Sequence, residues 1–240
     1  MSNEKNKEGE SSSNISRKFL LSFIPFIVFS LSFFPVVIYG SIIMYFLNFR
    51  AIWQLILIPF FVYFGIIIVV FSLLFISGSV IKLFNITYNS GKYKYEMSEN
   101  NSFKWMIICA LYTPCRKILE IFPIGNPRNS YYRLLGMKLG KNTLVGGTIK
   151  DPCVTEIGSN TTIGEYSVIY GHIHNYEQRT ITIEKVIIGN NCVIGAGAII
   201  MPGCIIQDNV VVAAGALVTK KQTLEKGKLY GGIPAKEIKK

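Results

Sequence analysis

Ile188, Ile194, Ile200, Ile206, Val212 and Val218 stand six residues apart. Four places after each of the first five comes a smaller residue: Cys192, Ala198, Cys204, Val210, Ala216. A fixed short period marks a repeat architecture, in which each unit buries its apolar face only by stacking on its neighbours. A period of six fits a prism of short parallel strands, three hexads to a coil, with the aliphatic inward at every rung. The register continues upstream through Leu139, Val145, Ile157, Ile163 and Ile169. Asp151 breaks the phase once, which predicts a distorted hexad there. Ile169 and Ile188 are nineteen residues apart, one more than three hexads, so the ladder slips between the two blocks. His172 and His174 sit at the edge of that slip.

The first third of the chain obeys a different rule. Residues 19–49 and 51–81 contain no charged side chain, and only Arg50 separates them. Each run exceeds the ~20 apolar residues that a spanning helix needs. The runs predict a transmembrane hairpin, with Pro25, Pro35 and Pro59 kinking or tilting the helices. Such length, with a second run following directly, makes a cleaved signal peptide a poor alternative. The 1–18 segment is polar and reads as a disordered tail. Between the hairpin and the ladder, residues 83–130 read as an amphipathic juxtamembrane connector. Trp105, Ile108, Tyr112, Cys115, Leu119 and Phe122 recur there at three-four spacing. Thr113 before Pro114 suggests a helix break, with Thr113 capping a restart.

The chain has 25 Lys and Arg against 14 Asp and Glu, a formal net charge of +11. From 82 to 150 there are eleven basic and three acidic residues, net +8. The excess lies beside the membrane segment with no aromatic–basic interleaving on a soluble module, which argues for anionic lipid and against nucleic acid. Basic residues flank both ends of the hairpin and are nearly absent at its tip. The positive-inside rule then puts both termini and the repeat domain in the cytoplasm, with the plasma membrane of a prokaryote as the expected location. Cys109, Cys115, Cys153, Cys192 and Cys204 make no Cys-x-x-Cys pair, so no metal is expected. Cys192 and Cys204 belong on different faces of the prism.

Residues 131–238 resemble the hexapeptide-repeat acyltransferases, carried by IGAGAIIMPG, VVAAGALVTK and GGIPAKEI. The late motifs are similar to the acetyltransferase branch. The resemblance implies a mainly β, left-handed parallel β-helix over 131–240. It also implies an acyl-CoA donor, acetyl-CoA above all, and a homotrimer with sites between subunits. It further implies a catalytic histidine near an extended loop. His174 is the first candidate and His172 the second, since an imidazole suits proton removal from an attacking hydroxyl or amine at neutral pH. Glu177 is a candidate to orient the ring, and Asn175, Tyr176 and Arg179 to face the acceptor. By positional match, Gly195, Ala196, Ala214 and Gly215 border the donor's pantetheine arm. Thr219, Lys220, Lys221 and Lys236 match residues at its nucleotide end. A hairpin anchor favours a lipid-linked or membrane-proximal acceptor, because confinement raises its effective concentration. The rival classes are an inactive membrane scaffold on the same trimer and a γ-class carbonic anhydrase. The second needs three histidines per zinc, and this chain has two.

Overall fold

The computed structural model describes residues 2–47, 51–121 and 125–239. Arg50 and Phe122 lie outside the described residues. Four helices come first: α1 (Ser2–Ser32), α2 (Phe34–Phe46), α3 (Ile52–Ile56) and α4 (Ile58–Leu83). Two stretches, Ile15–Phe46 and Ile52–Leu83, are each 32 residues long and apolar enough to cross a membrane. The prolines explain the breaks within them. Pro35 and Pro59 each stand second in their helices, just after Phe34 and Ile58, within the first turn where a missing N–H costs nothing. Pro25 stays inside α1. That helix begins at Ser2 and so runs back across the polar stretch whose composition reads as a tail.

The connector differs from its sequence reading in two ways. It opens with a strand, β1 (Gly91–Lys94), before α5 (Asn100–Ile121) and α6 (Gly125–Leu134). And α5 runs unbroken through Pro114. Thr113 caps nothing, because packing overrides the lost backbone bond: Trp105, Ile108, Leu111, Tyr112, Cys115 and Leu119 are all buried. That stripe packs on α1 and α4, and Tyr112 carries it onto the repeat domain. The Tyr112 hydroxyl donates to the Ile149 carbonyl, and the Ser77 hydroxyl on α4 lies 3.2 Å from that of Tyr131 on α6.

The repeat domain is a three-faced parallel β-helix. The first coil carries β2 (Lys138–Leu139), β3 (Leu144–Val145) and β4 (Thr148–Ile149). The second carries β5 (Thr155–Ile157), β6 (Thr162–Ile163) and β7 (Val168–Ile169). An excursion follows, β8 (His172–Asn175) and β9 (Thr180–Ile183). Then come β10 (Val186–Ile188), β11 (Val193–Ile194) and β12 (Ile199–Ile200) in the third coil, and β13 (Ile205–Ile206), β14 (Val211–Val212) and β15 (Leu217–Val218) in the fourth. The last coil has β16 (Thr223–Leu224) and β17 (Leu229–Gly231), with β18 (Lys236–Glu237) folding back antiparallel on β17. Ile157, Ile188, Ile206 and Leu224 stack on the first face. Ile163, Ile194 and Val212 stack on the second, and Ile169, Ile200 and Val218 on the third. All are buried, each contributing about 1.5–3 kcal/mol of transfer free energy. Cys192 leads into the second face and Cys204 into the first, the separation that their spacing predicts.

The corners use left-handed backbone, and at one of them the sequence supplies asparagine coil after coil. Asn142, Asn160, Asn191 and Asn209 occupy one corner with φ of 54°, 55°, 55° and 59°. Asparagine tolerates this region better than other side chains.

Candidate active site

The slip in the ladder is a β-hairpin. β8 and β9 pair antiparallel, and β1 joins them from outside, so the connector completes a three-stranded sheet standing off one prism edge. The Lys92 ammonium donates to Gln178 Oε1 at 2.6 Å and the Tyr95 N–H to the Arg179 carbonyl at 2.8 Å, fixing the hairpin tip to the connector.

The distorted hexad at Asp151 proves to be the floor of this site. Val145 is followed by Ile149 as the next inward rung, four residues on, and Ile149 pairs with Ile169. The shortfall is made up by a 3-10 turn at Pro152–Val154. The detour leaves Asp151 fully buried beneath the hairpin, its Oδ2 2.7 Å from His172 Nδ1. The same oxygen accepts from the Gly171 N–H at 2.8 Å. Oδ1 accepts from the Tyr88 hydroxyl at 2.8 Å and from the Trp105 indole at 3.2 Å. Burial alone would raise the carboxyl's pKa; these donors, His172 foremost, outweigh it and hold the group below its usual range. Burial, reinforced by Asp151, pushes the Tyr88 hydroxyl far up, so it stays a donor.

His174 sits differently. Its ring meets Tyr95 (centroids 4.7 Å apart), Trp105 (5.1 Å) and Tyr176 (5.8 Å, stacked), and lies 5.2 Å from the His172 ring. Its Nδ1 is buried without a hydrogen-bond partner among the described residues. Burial, and then the neighbouring His172, lower its pKa, which favours the neutral ring. Trp105 also packs edge-on to His172 at 4.9 Å.

Of the other hairpin candidates, Tyr176 alone touches a histidine. Asn175 accepts from the Gln178 N–H at 2.9 Å and so shapes the turn. Arg179 takes a left-handed corner with φ 46°. Among the described residues no hydrogen bond or ion pair joins Glu177 to either histidine or to Arg179; the carboxylate that meets an imidazole is Asp151. Sequence reasoning missed Asp151, Tyr88, Trp105 and Tyr95 as site residues. The phase break at Asp151 was the one visible signal.

The donor-side candidates form two groups. Gly195, Ala196, Ala214 and Gly215 lie at the corner between the second and third faces, where the Gly215 N–H donates to the Ala196 carbonyl. Gly195 is required by coil stacking, since a Cβ there would stand 2.4 Å from the Ala214 nitrogen. Gly215 is required by its φ of 68°, with open space where a side chain would go. Thr219, Lys220 and Lys221 lie at the next corner, on the edge from which the hairpin rises. Gln222 ties this corner to the last strand: its Oε1 accepts from the Thr219 N–H, and its amide donates to the Ala235 carbonyl beside Lys236. Two coils, about 10 Å at the usual strand spacing, separate the rung below His172 from that of Thr219. Glu184, at the foot of the hairpin, approaches Lys221 at 3.0 Å and Lys220 at 3.8 Å. The cysteines are no rivals as nucleophiles, because burial pushes Cys153 and Cys204 to about 11.

Comparison with known proteins adds the following. The family model for bacterial transferase hexapeptide (six repeats) matches residues 185–220. A Bacillus subtilis (strain 168) protein, YvoF, provisionally named an acetyltransferase, is 38% identical over 130 residues, which is 51% of this chain and 72% of YvoF. Among solved structures, the hexapeptide-repeat-containing acetyltransferase VCA0836 of Vibrio cholerae is 24% identical, with a TM-score of 0.41. That match covers 44% of this chain and 62% of VCA0836, a protein also solved in complex with acetyl coenzyme A. A maltose O-acetyltransferase from Clostridium difficile 630 is 26% identical over 53% of this chain and 84% of its own length, with a TM-score of 0.43.

Proposed function

Because this chain belongs to the hexapeptide-repeat acetyltransferase family, we propose that it is a membrane-anchored enzyme. It transfers an acetyl group from acetyl-CoA to a hydroxyl or amine of a lipid-linked or membrane-proximal acceptor. The observation that carries this reading is the 2.7 Å contact between His172 and the buried Asp151 at the foot of the hairpin.

His172, the second candidate from sequence, is the general base in this reading. Asp151 accepts at Nδ1, so the ring proton is held there and Nε2 is free to take the acceptor's proton. As that proton leaves, the acceptor oxygen or nitrogen attacks the thioester carbonyl. The tetrahedral intermediate collapses, the C–S bond breaks, and the thiolate of CoA recovers the proton from His172. Asp151 stabilises the imidazolium formed between these steps. His174, neutral and walled by Tyr95, Trp105 and Tyr176, lines the acceptor side.

Thr219 and Lys220 lie on the hairpin's edge, and Lys236, opposite Gly231 on β18, is tied to the same corner through Gln222 and the neighbouring Ala235; all three suit the nucleotide end of the donor. Gly195, Ala196, Ala214 and Gly215 occupy another corner, which favours a donor bound between neighbouring left-handed β-helices of a homotrimer. The two apolar stretches form the anchor (19–82), the connector (83–130) supplies the site's outer wall, and the β-helix (131–240) supplies its floor. The tail (1–18), the connector and the β-helix are cytoplasmic, where acyl-CoA is available.

The test uses the purified full chain with acetyl-CoA and a total membrane-lipid extract. Thiol release with a matching acetylated lipid, lost in His172→Ala, is the expected outcome. Binding of no acyl-CoA would overturn the enzyme reading in favour of a scaffold. In intact cells, a cysteine at the position of Arg50 should react with an impermeant thiol reagent and one at Ser12 should not.

A further inference from the structure

The helical unit carries an apolar groove of about 620 Å³ between α2 and α4, running from Met44 and Ile58 to Leu73 and Ile118. Two glycines open it. Among the described residues, a Cβ at Gly40 would meet nothing within 4 Å, and one at Gly65 would meet Val36 and Tyr39 at ordinary contact distances. At its inner end the lining passes to α5, whose last turn changes character around its circumference. At 100° per residue, Ile118, Ile121, Lys117, Glu120 and Arg116 follow one another round the helix. Ile121 and Lys117 are exposed. Glu120 holds Arg116 at 2.6 Å and Lys117 at 2.9 Å, and accepts from Thr148 at 3.0 Å, so the turn is fastened to the β-helix.

Two residues beyond Thr148 is Lys150, which makes no ion pair among the described residues. Its ammonium stands 5.9 Å from the centre of the Tyr170 ring. Tyr170 in turn packs against His172, with centroids 6.5 Å apart. Burial, and then repulsion from Arg116, lower the Lys150 pKa. Glu120 is shared by Arg116 and Lys117, and Asp151 is held by His172, so the three cations Arg116, Lys117 and Lys150 leave a surplus for an anion to satisfy.

Apolar groove, cationic step and catalytic imidazole thus follow in one continuous order. The geometry points to a binding track for a single-chain lipid phosphate, with its hydrocarbon chain in the α2–α4 groove and its phosphate between Lys117 and Lys150. The group to be acetylated, carried on the far side of the phosphate, would then reach His172. This rests on the proposed acetyl transfer and narrows its acceptor to a lipid whose headgroup begins with phosphate. The hairpin would then guide the substrate as well as anchor the enzyme.

The test uses the full-length protein in phosphatidylcholine nanodiscs with three probes: a long-chain prenyl phosphate, the prenyl alcohol of the same length, and inorganic phosphate. The prenyl phosphate should bind at least about tenfold tighter than the alcohol, since two lysine charges meet its phosphate and none meets the hydroxyl. Lys117→Gln with Lys150→Gln should abolish that preference. Gly40→Leu, which fills the groove, should weaken phosphate and alcohol by the same factor. Millimolar inorganic phosphate should displace neither. Equal binding of the two lipids would overturn the track, and so would a preference that survives both lysine changes. Displacement by inorganic phosphate, or indifference to Gly40→Leu, would do the same. Acetyl-CoA binding in the same discs separates the two readings. A protein that binds acetyl-CoA but shows no headgroup preference loses only this inference.

Discussion

The coils on either side of the hairpin obey the same repeat with different strictness. After it, every inward rung is six residues from the last, from Ile188 to Leu224. Before it, one step is four residues, Val145 to Ile149, and the next is eight, Ile149 to Ile157. The strict coils bury aliphatics and close neatly. The irregular one buries a carboxylate, Asp151, and surrounds it with donors from three directions. Regular rungs supply stability, and the departure from regularity supplies the candidate site.

The sharpest way to break that contrast is at the histidine. His172→Ala should lower turnover by roughly 10²–10⁴-fold, the usual contribution of a general base. His174→Ala should cost much less and should act mainly on the acceptor's KM. Steady-state kinetics on both variants decides, and the reverse order would return the base to His174.

Much of this was legible in the residues, and the limits are instructive. The ladder, the apolar hairpin and the position of the excursion are all periodic or compositional, and short-range patterns reveal them. The Asp151–His172 pair bridges 21 positions and Tyr88–Asp151 bridges 63; no local pattern encodes either. β1 was hidden because Gly-Lys-Tyr-Lys is a weak strand on its own and forms only by adding to β9. The continuity of α5 through Pro114 was hidden because burial of its whole stripe outweighs one missing hydrogen bond.

Asp151→Asn tests the irregular coil directly. It keeps the shape and removes the charge, so turnover should fall by roughly 10²-fold, with the imidazolium no longer stabilised. It should also change the response to acid. Asp151 and His174 both have folded pKa values below their usual ones, 3.8 and 6.5. A depressed group binds fewer protons when folded, so its stabilisation is present above the unfolded value and is lost as pH falls. Thermal melts should therefore weaken first just below about pH 6.5 through His174, and again below about pH 3.8 through Asp151. His174→Gln should remove the upper step and Asp151→Asn the lower one.

A matched pair separates the two kinds of coil further. Ile200→Ala empties a fully buried rung and should cost about 2–5 kcal/mol of stability, with the pH–rate profile unmoved in the protein that remains folded. Trp105→Phe keeps the ring against His172 but removes the indole N–H from Asp151. A hydrogen bond to a charged group contributes about 1.5–3 kcal/mol, so turnover should drop about tenfold and the acid limb of the profile should shift upward. If Ile200→Ala moved the profile as much, the division of labour between coils would fail.

The smallest effects belong to the last coil, where the proposed donor contacts are charges on a regular scaffold. Lys236 makes no ion pair among the described residues, whereas Lys220 is shared with Glu184 at 3.8 Å. Lys236→Ala should therefore raise the donor's KM more than Lys220→Ala, each by a few-fold, with kcat nearly kept, as expected when uniform binding is lost. Both penalties should shrink with added salt, since exposed charges are screened within about 10 Å at 0.1 M. Glu184→Gln should act in the opposite sense, because removing the carboxylate releases Lys220 and Lys221 to the donor, so KM should fall. The family resemblance matches Lys236 to a basic residue near the donor's 3′-phosphate, so a donor lacking that phosphate should be indifferent to Lys236→Ala yet still sense Lys220→Ala. Equal sensitivity of both donors to Lys236→Ala would move Lys236 away from the nucleotide and leave the last coil a purely structural cap.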